Sequence, residues 1–238
     1  MRHPALSALT LLLVLVAPAA ARPDVQTGAQ PQPQEELPAG WYARIDTSMG
    51  RIVVQLLPGQ APQAVAQFVA LAKGEVERTD PMTGEAIEGP NYDGTGVYLA
   101  KAGLRFEAGD PTSTGGGGPP LWVASSEGGG PVNFHTAGRL GLNLTPGRGA
   151  SPYSFFITAS AQPQFSGLYP CFGAVVQGRD VVLRITEVRT HRDDRPIEPV
   201  LINKVRIFTV GDPPDLAEPV SYQAKPRKFA PRPRPQAD

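Results

Sequence analysis

The chain is poor in the residues that most often announce chemistry. It has one cysteine and three histidines in 238 residues. One cysteine excludes an internal disulfide, a CxxC redox pair and any multi-cysteine metal site. His3, His135 and His191 are too scattered for a histidine-rich metal centre, and neither a metal nor a cofactor is expected. A surplus of one charge is also missing. The 22 basic and 22 acidic side chains cancel, which argues against a general nucleic-acid binder, since such proteins carry a basic excess.

Glycine and proline are abundant instead. The 26 glycines and 27 prolines make up about 22% of the chain, against roughly 12% ordinarily. Thirteen of the prolines lie outside residues 41–211. That central stretch is long enough for one domain with its own core.

The two ends read as segments outside the fold. Residues 1–21 have a basic Arg2, a short apolar run from Ala5 to Val16 and small residues at Ala19-Ala20-Ala21, the layout of a cleaved secretory signal peptide. The run is too short to span a bilayer, and an uncleaved N-terminal anchor is the alternative. No stable membrane insertion is expected after cleavage. The expected location is outside the cytoplasm, in a bacterial periplasm or secreted. Residues 22–40 are polar and proline-rich, a linker that cannot bury enough apolar surface to offset its ordering entropy. Residues 212–238 are expected to be a disordered tail. Its end, Lys225 to Asp238, carries five basic residues and repeated Pro-Arg, suited to an extended chain. Lone Cys171 reads as a small buried apolar residue.

Within 41–211, Tyr42 to Met49 and Arg51 to Leu57 form a predicted hairpin. Ala61 to Gly74 has Val65, Phe68, Val69 and Leu71 at helical spacing, with Pro62 suited to the first turn and Gly74 to the stop. Glu75 to Gly94 is expected to be a loop. Short strands are predicted at Val97–Ala100, Leu104–Ala108, Arg139–Leu144, Ser154–Thr158, Phe172–Val176 and Val200–Val210, with a helix over Asp180–Val188. About eight short strands and two helices, punctuated by glycine and proline, predict a mainly β fold, closed or nearly closed into a barrel.

Several single motifs carry little. Gly115 to Gly118 lacks the Lys-Ser/Thr of a phosphate loop, and Pro119-Pro120 forbids a following helix. Ser151, Ser154 and His135 have neither a nucleophile-elbow pattern nor an acid behind the histidine. Asn143-Leu144-Thr145 matches a glycosylation sequon, a weak three-residue pattern.

Five longer phrases taken in order are more informative. They are Ala61-Pro62…Val65…Phe68…Leu71-Ala72…Gly74, Ala108-Gly109-Asp110-Pro111-Thr112…Gly115, Phe155-Phe156-Ile157-Thr158, Phe165-Ser166-Gly167-Leu168-Tyr169…Phe172-Gly173, and Pro199-Val200…Ile202…Val205…Ile207. Together they resemble the cyclophilin-type peptidyl-prolyl cis-trans isomerases, from about Ala43 to Phe208. The resemblance implies an eight-stranded antiparallel β-barrel capped by two α-helices. It also implies isomerisation of X-Pro bonds, here in exported or unfolded polypeptides, by a monomer whose partners are proline-containing segments.

By the same resemblance Phe156 is the floor of a proline pocket, Leu104 and Phe165 its walls, and Tyr169 stands where the family has His or Tyr. Ser154 and Glu107 replace two glutamines. Asn143 and Leu144 fall near a backbone contact to substrate. The position of the family's arginine, which donates to the prolyl nitrogen, falls on Leu99, and leucine donates nothing. Arg105 and Glu107 share one side of a strand, so Arg105 is a candidate substitute donor oriented by Glu107; an exposed ion pair is the alternative. Two other functions stay open: the same barrel as a non-catalytic proline-peptide binding or chaperone module, and a scaffold held by its basic tail.

Overall fold

A computed structural model of the chain describes residues 36–76, 78–79, 86–116, 127, 132–145 and 149–219. The chain divides into two units, Met1–Glu36 and Leu37–Asp238, and every described strand and helix belongs to the second. The expected signal peptide, the linker up to residue 35, Gly117 to Pro120 and the Lys225–Asp238 tail lie outside the described residues.

The hairpin forms as expected. Gly40–Thr47 (β1) and Gly50–Leu56 (β2) pair antiparallel. Their two-residue turn is closed by Thr47, whose Oγ1 donates to the Gly50 carbonyl at 2.7 Å and accepts from Met49 N at 3.1 Å. Pro62–Lys73 (α1) follows, with Pro62 in its first turn and Gly74 stopping it at a left-handed φ of 79°. Its N-cap residue, Ala61, has no side chain to cap with. The Glu127 carboxylate supplies the cap instead, accepting from Gln63 N at 3.0 Å and Ala64 N at 2.8 Å.

The expected loop Glu75 to Gly94 is not structureless. It contains a short antiparallel pair, Arg78–Thr79 (β3) and Ala86–Ile87 (β4). Period-2 patterning cannot show in strands of two residues. Then come Leu99–Lys101 (β5), Arg105–Ala108 (β6), Arg139–Thr145 (β7), Gly149–Thr158 (β8), Cys171–Gln177 (β9), the helix Arg179–Thr186 (α2) and Ile202–Val210 (β10).

Eight strands form one antiparallel sheet in the order β10-β1-β2-β9-β7-β8-β6-β5. The sheet curls until its ends approach. Gly96 bridges Leu201, Val97 N donates to the Val200 carbonyl and Ile202 N to the Thr95 carbonyl, both at 2.8 Å. This is the expected mainly β, eight-stranded, two-helix architecture. The chain stays on the domain past residue 211. Trp41 Nε1 donates to the Pro214 carbonyl at 2.7 Å, and Leu216 packs against the core.

The main core fills the inside of the curl. Phe68 of α1 stacks on Tyr92 at 4.9 Å and meets Phe172 at 5.3 Å and Phe155 at 5.8 Å. Each fully buried aromatic of this kind contributes about 1.5–3 kcal/mol. On β8 the alternation sends Phe155 and Ile157 into this core, and Phe156 to the opposite face.

Candidate active site

Phe156 is the centre of a second, smaller apolar cluster with Phe134 and Cys171, all fully buried, and with half-buried Val132, Phe165 and Tyr169. The sheet register explains its composition. Leu99, Glu107, Phe156, Gly141 and Cys171 form one cross-strand row through β5, β6, β8, β7 and β9. Gly141 lets the Phe156 ring lie flat on the sheet, since a Cβ there would come within 2.4 Å of Phe156 Cζ and 2.8 Å of Phe134 Cζ.

Two loops cover the row. Gln60 holds one of them: its Oε1 accepts from Val132 N at 2.9 Å, and its Nε2 donates to the carbonyls of Val132 and Cys171. Phe134 lies two residues on and stacks on Phe156 at 5.4 Å. The other loop is a single 3-10 turn, Pro163–Phe165. It brings Phe165 edge-on to Phe156 at 5.7 Å, and Tyr169 edge-on at 5.3 Å. The loops are joined by Phe134 N donating to Ser166 Oγ at 3.2 Å and Gln162 N to the Phe134 carbonyl at 2.7 Å.

Arg105 and Glu107 share a face, and it is the face of Phe156. Arg105 Nε and Nη2 both donate to Glu107 Oε1 at 2.8 Å. The guanidinium carbon lies 5.0 Å from the Phe165 ring centre and 5.8 Å from that of Phe156, a cation–π geometry. With the Arg105 side chain 22% exposed and that of Glu107 11%, this is a largely desolvated pair and not the exposed ion pair of the alternative reading. Asn143 Nδ2 donates to Glu107 Oε2 at 3.0 Å and to Tyr98 Oη at 2.6 Å, with Ser154 Oγ at 3.3 Å. Burial, then the nearby Glu107 charge, raises the Tyr98 hydroxyl well above its ordinary pKa, so it stays protonated.

Arg105, Glu107, Phe156, Phe165, Tyr169, Asn143, Ser154 and Leu99 are thus brought to one face, but one expectation needs correction. As the floor of a pocket, Phe156 should open to solvent. It is sealed beneath Phe134, Phe165, Tyr169 and Arg105, and the accessible surface belongs to Phe165 and Tyr169. Phe134, Phe165, Tyr169 and Arg105 all lie within 6 Å of the Phe156 ring centre, at 5.4, 5.7, 5.3 and 5.8 Å. Leu104, expected as a wall, immediately precedes β6, beside Arg105. It closes the β5–β6 turn, 37% exposed, through Leu104 N donating to the Lys101 carbonyl at 2.9 Å. The Leu144 side chain packs against the main core beside Leu140 and Leu142, as alternation along β7 directs; the contact expected at 143–144 is one of backbone.

Phe134 and Tyr98 belong to the site and are absent from the residues expected there. A large aromatic inside a glycine-rich stretch, as at Asn133-Phe134-His135, was the available signal, since such a ring seeks burial. A separate cleft of about 400 Å³ lies between Ser48 and Met49 of the β1–β2 turn and segment 188–200. None of the sequence-predicted site residues lines it.

Comparison with known proteins agrees with this architecture. Residues 42–207 match the family described as cyclophilin type peptidyl-prolyl cis-trans isomerase/CLD. The chain is 37% identical over 176 residues to peptidyl-prolyl cis-trans isomerase B of Streptomyces anulatus, covering 71% of this chain and 97% of that one. It is 33% identical over 168 residues to peptidyl-prolyl cis-trans isomerase A of Mycobacterium tuberculosis, covering 69% and 91%. Its fold is similar to the crystal structure of a Cryptosporidium parvum cyclophilin type isomerase obtained in the presence of the dipeptide Ala-Pro. That likeness has a TM-score of 0.57 and 25% identity, and covers 70% of this chain and 98% of that one. On the family match and these identities, the chain belongs to the cyclophilin-type peptidyl-prolyl cis-trans isomerases.

Proposed function

We propose that the protein isomerises X-Pro bonds in exported or unfolded polypeptides, with the Phe165–Tyr169 surface over Phe156 taking the prolyl ring and Arg105 serving as the donor. An X-Pro bond rotates over a barrier of about 18–20 kcal/mol because twisting destroys amide resonance. Catalysis needs no nucleophile, metal or proton transfer. It needs a surface that fits the twisted amide better than either planar form. As conjugation is lost, a lone pair localises on the prolyl nitrogen, and a donor placed there is worth most at the top of the barrier.

The observation that carries the reading is the Arg105–Glu107 pair lying against Phe156 and Phe165. Nε and Nη2 are used by Glu107, and Nη1 is the donor that would meet the prolyl nitrogen. A charge-assisted hydrogen bond contributes about 1.5–3 kcal/mol, so losing it slows the reaction ~10–150-fold. The ring docks first on Phe165 and Tyr169. It reaches Phe156 when the Phe165 ring moves aside, the guanidinium staying on Glu107.

A second reading, a non-catalytic proline-peptide module, is favoured by two observations: Leu99 offers no donor, and Phe156 is sealed. NMR exchange on an X-Pro peptide separates the two, comparing wild type, Arg105→Ala and Leu99→Arg. The catalytic reading expects Arg105→Ala to lose most of the rate. A wild type no faster than buffer, with Leu99→Arg gaining activity, supports the binding module. Export by the residue 1–21 leader belongs to the same proposal. Mass spectrometry of the full-length product from a secreting bacterial host should find a mature N-terminus near Arg22; an intact leader in the cytosol overturns it.

A further inference from the structure

Glu107 orients Arg105, and polar side chains on the same face hold Glu107 in turn. Resting on the proposed role of Arg105, we infer that Asn143, backed by Tyr98, is a positioning residue that fixes Glu107 and through it the Arg105 guanidinium. Glu107 divides its two oxygens. Oε1 takes both bonds from Arg105, and Oε2 takes the Asn143 amide at 3.0 Å. A carboxylate tied at one oxygen only would rotate about its last torsion and carry the guanidinium with it; tied at both, it sets the plane in which Arg105 lies.

The Asn143 amide is itself fixed. Nδ2 has two hydrogens, and the nearer acceptors are Tyr98 Oη at 2.6 Å and Glu107 Oε2 at 3.0 Å, with Ser154 Oγ farther at 3.3 Å. Tyr98 is buried and remains neutral, so it presents a hydroxyl and not a competing anion. Alternation along β7 aims Asn143 there: Leu140, Leu142 and Leu144 turn to the main core, and Gly141 and Asn143 to the Phe156 face. Leu142 is opposite Phe155, whereas Asn143 is opposite Ser151, leaving Pro152, Tyr153 and Ser154 outside the pairing. Pro152 has no N–H for a ladder bond, so the break falls on β8 and leaves the alternation of β7 intact.

The test is a double-mutant cycle read by X-Pro exchange kinetics, using wild type, Asn143→Ala, Arg105→Ala and the double variant, each with its thermal midpoint measured. Tyr98→Phe is the second probe should Asn143→Ala fold poorly. Positioning through Arg105 predicts that Asn143→Ala lowers kcat/KM ~3–10-fold, the worth of one buried hydrogen bond, mainly in kcat. In the Arg105→Ala background the same change should cost under about twofold. Equal losses in both backgrounds would show a general structural effect and overturn the inference. A full-rate Asn143→Ala and a full-rate Tyr98→Phe, beside an impaired Arg105→Ala, overturn it while leaving the proposed donor standing. An Arg105→Ala variant at the wild-type rate overturns both.

Discussion

The Arg105 guanidinium lies over the ring of Phe165, 5.0 Å from its centre, and together they close the space above Phe156. Such a contact, partly desolvated, contributes between about 0.5 and 2 kcal/mol, small enough for a bound peptide to displace. The resting site is therefore a closed aromatic stack with its donor already held in place by Glu107.

Shortening residue 165 should open that stack. Phe165→Leu removes the ring that meets Phe156 at 5.7 Å and Phe134 at 5.9 Å. Contact between a prolyl ring and the uncovered Phe156 should add about 1 kcal/mol of binding, a roughly fivefold fall in KM. Stability should drop by ~1–3 kcal/mol from lost packing. Peptide titration with thermal melting checks both, and an unchanged KM would mean that Phe156 takes no part in binding.

Gly141→Ala should do the reverse. Its Cβ would fall 2.4 Å from Phe156 Cζ and 2.8 Å from Phe134 Cζ, both inside van der Waals contact. The rings must lift off the sheet, an overpacking that costs ~1–3 kcal/mol and lowers the melting midpoint by about 2–4 °C for each kcal/mol in a domain of this size. Exchange activity should fall as well, since the displaced rings push on Phe165 and Arg105. A variant that melts and turns over like wild type would exclude tight ring packing at this position.

What the amino-acid sequence makes legible, and what it hides, divides along physical lines. Elements long enough to show a period were legible: the β1–β2 hairpin, α1 with Pro62 and Gly74 at its ends, and the Phe155-Phe156-Ile157 strand. Arg105 and Glu107 could be placed on a common face because a strand alternates with period 2. The closure over Phe156 was not legible. It depends on Phe134, distant from Phe156 in sequence, and on the volume of Phe165, neither of which periodicity reports. The pairing slip after Leu142 was not legible either: Leu140, Leu142 and Leu144 keep a period of two across it, and Pro152 on the facing strand is its local sign.

The cap on α1 is a further contact between residues distant in sequence. Glu127→Ala removes the carboxylate that accepts from Gln63 N and Ala64 N. The helix would then start with donors unmet and with its positive end unopposed, a loss of about 1 kcal/mol. Glu127→Gln should lose less, because an amide oxygen can still accept one of the two bonds. Chemical denaturation measures the difference, and neither variant should change exchange kinetics, since α1 packs in the main core. Equal stability of all three proteins would remove Glu127 as the cap.

Cys171 lies fully buried against Phe156 and Phe134, and that burial should make the fold sensitive to alkali. It pushes the thiol pKa up to about 11, against smaller opposing effects from the Arg139 charge and the Gly173 N–H. The sign follows from which state ionises first. Unfolded, the thiol loses its proton near pH 8.5–9; folded, it holds the proton to about pH 11. Below pH 8 both states are protonated and the residue adds no pH dependence. Between about pH 9 and 11 the unfolded state gains from ionisation that the folded state forgoes, so stability falls by up to ~3 kcal/mol. Denaturation across that range should show wild type losing stability relative to Cys171→Ala, with all other titrations common to both and cancelling. A thiol reagent at pH 8 gives the independent check: the native protein should react far more slowly than the denatured one, and labelling at the free-thiol rate would show that the cluster under Phe156 is open.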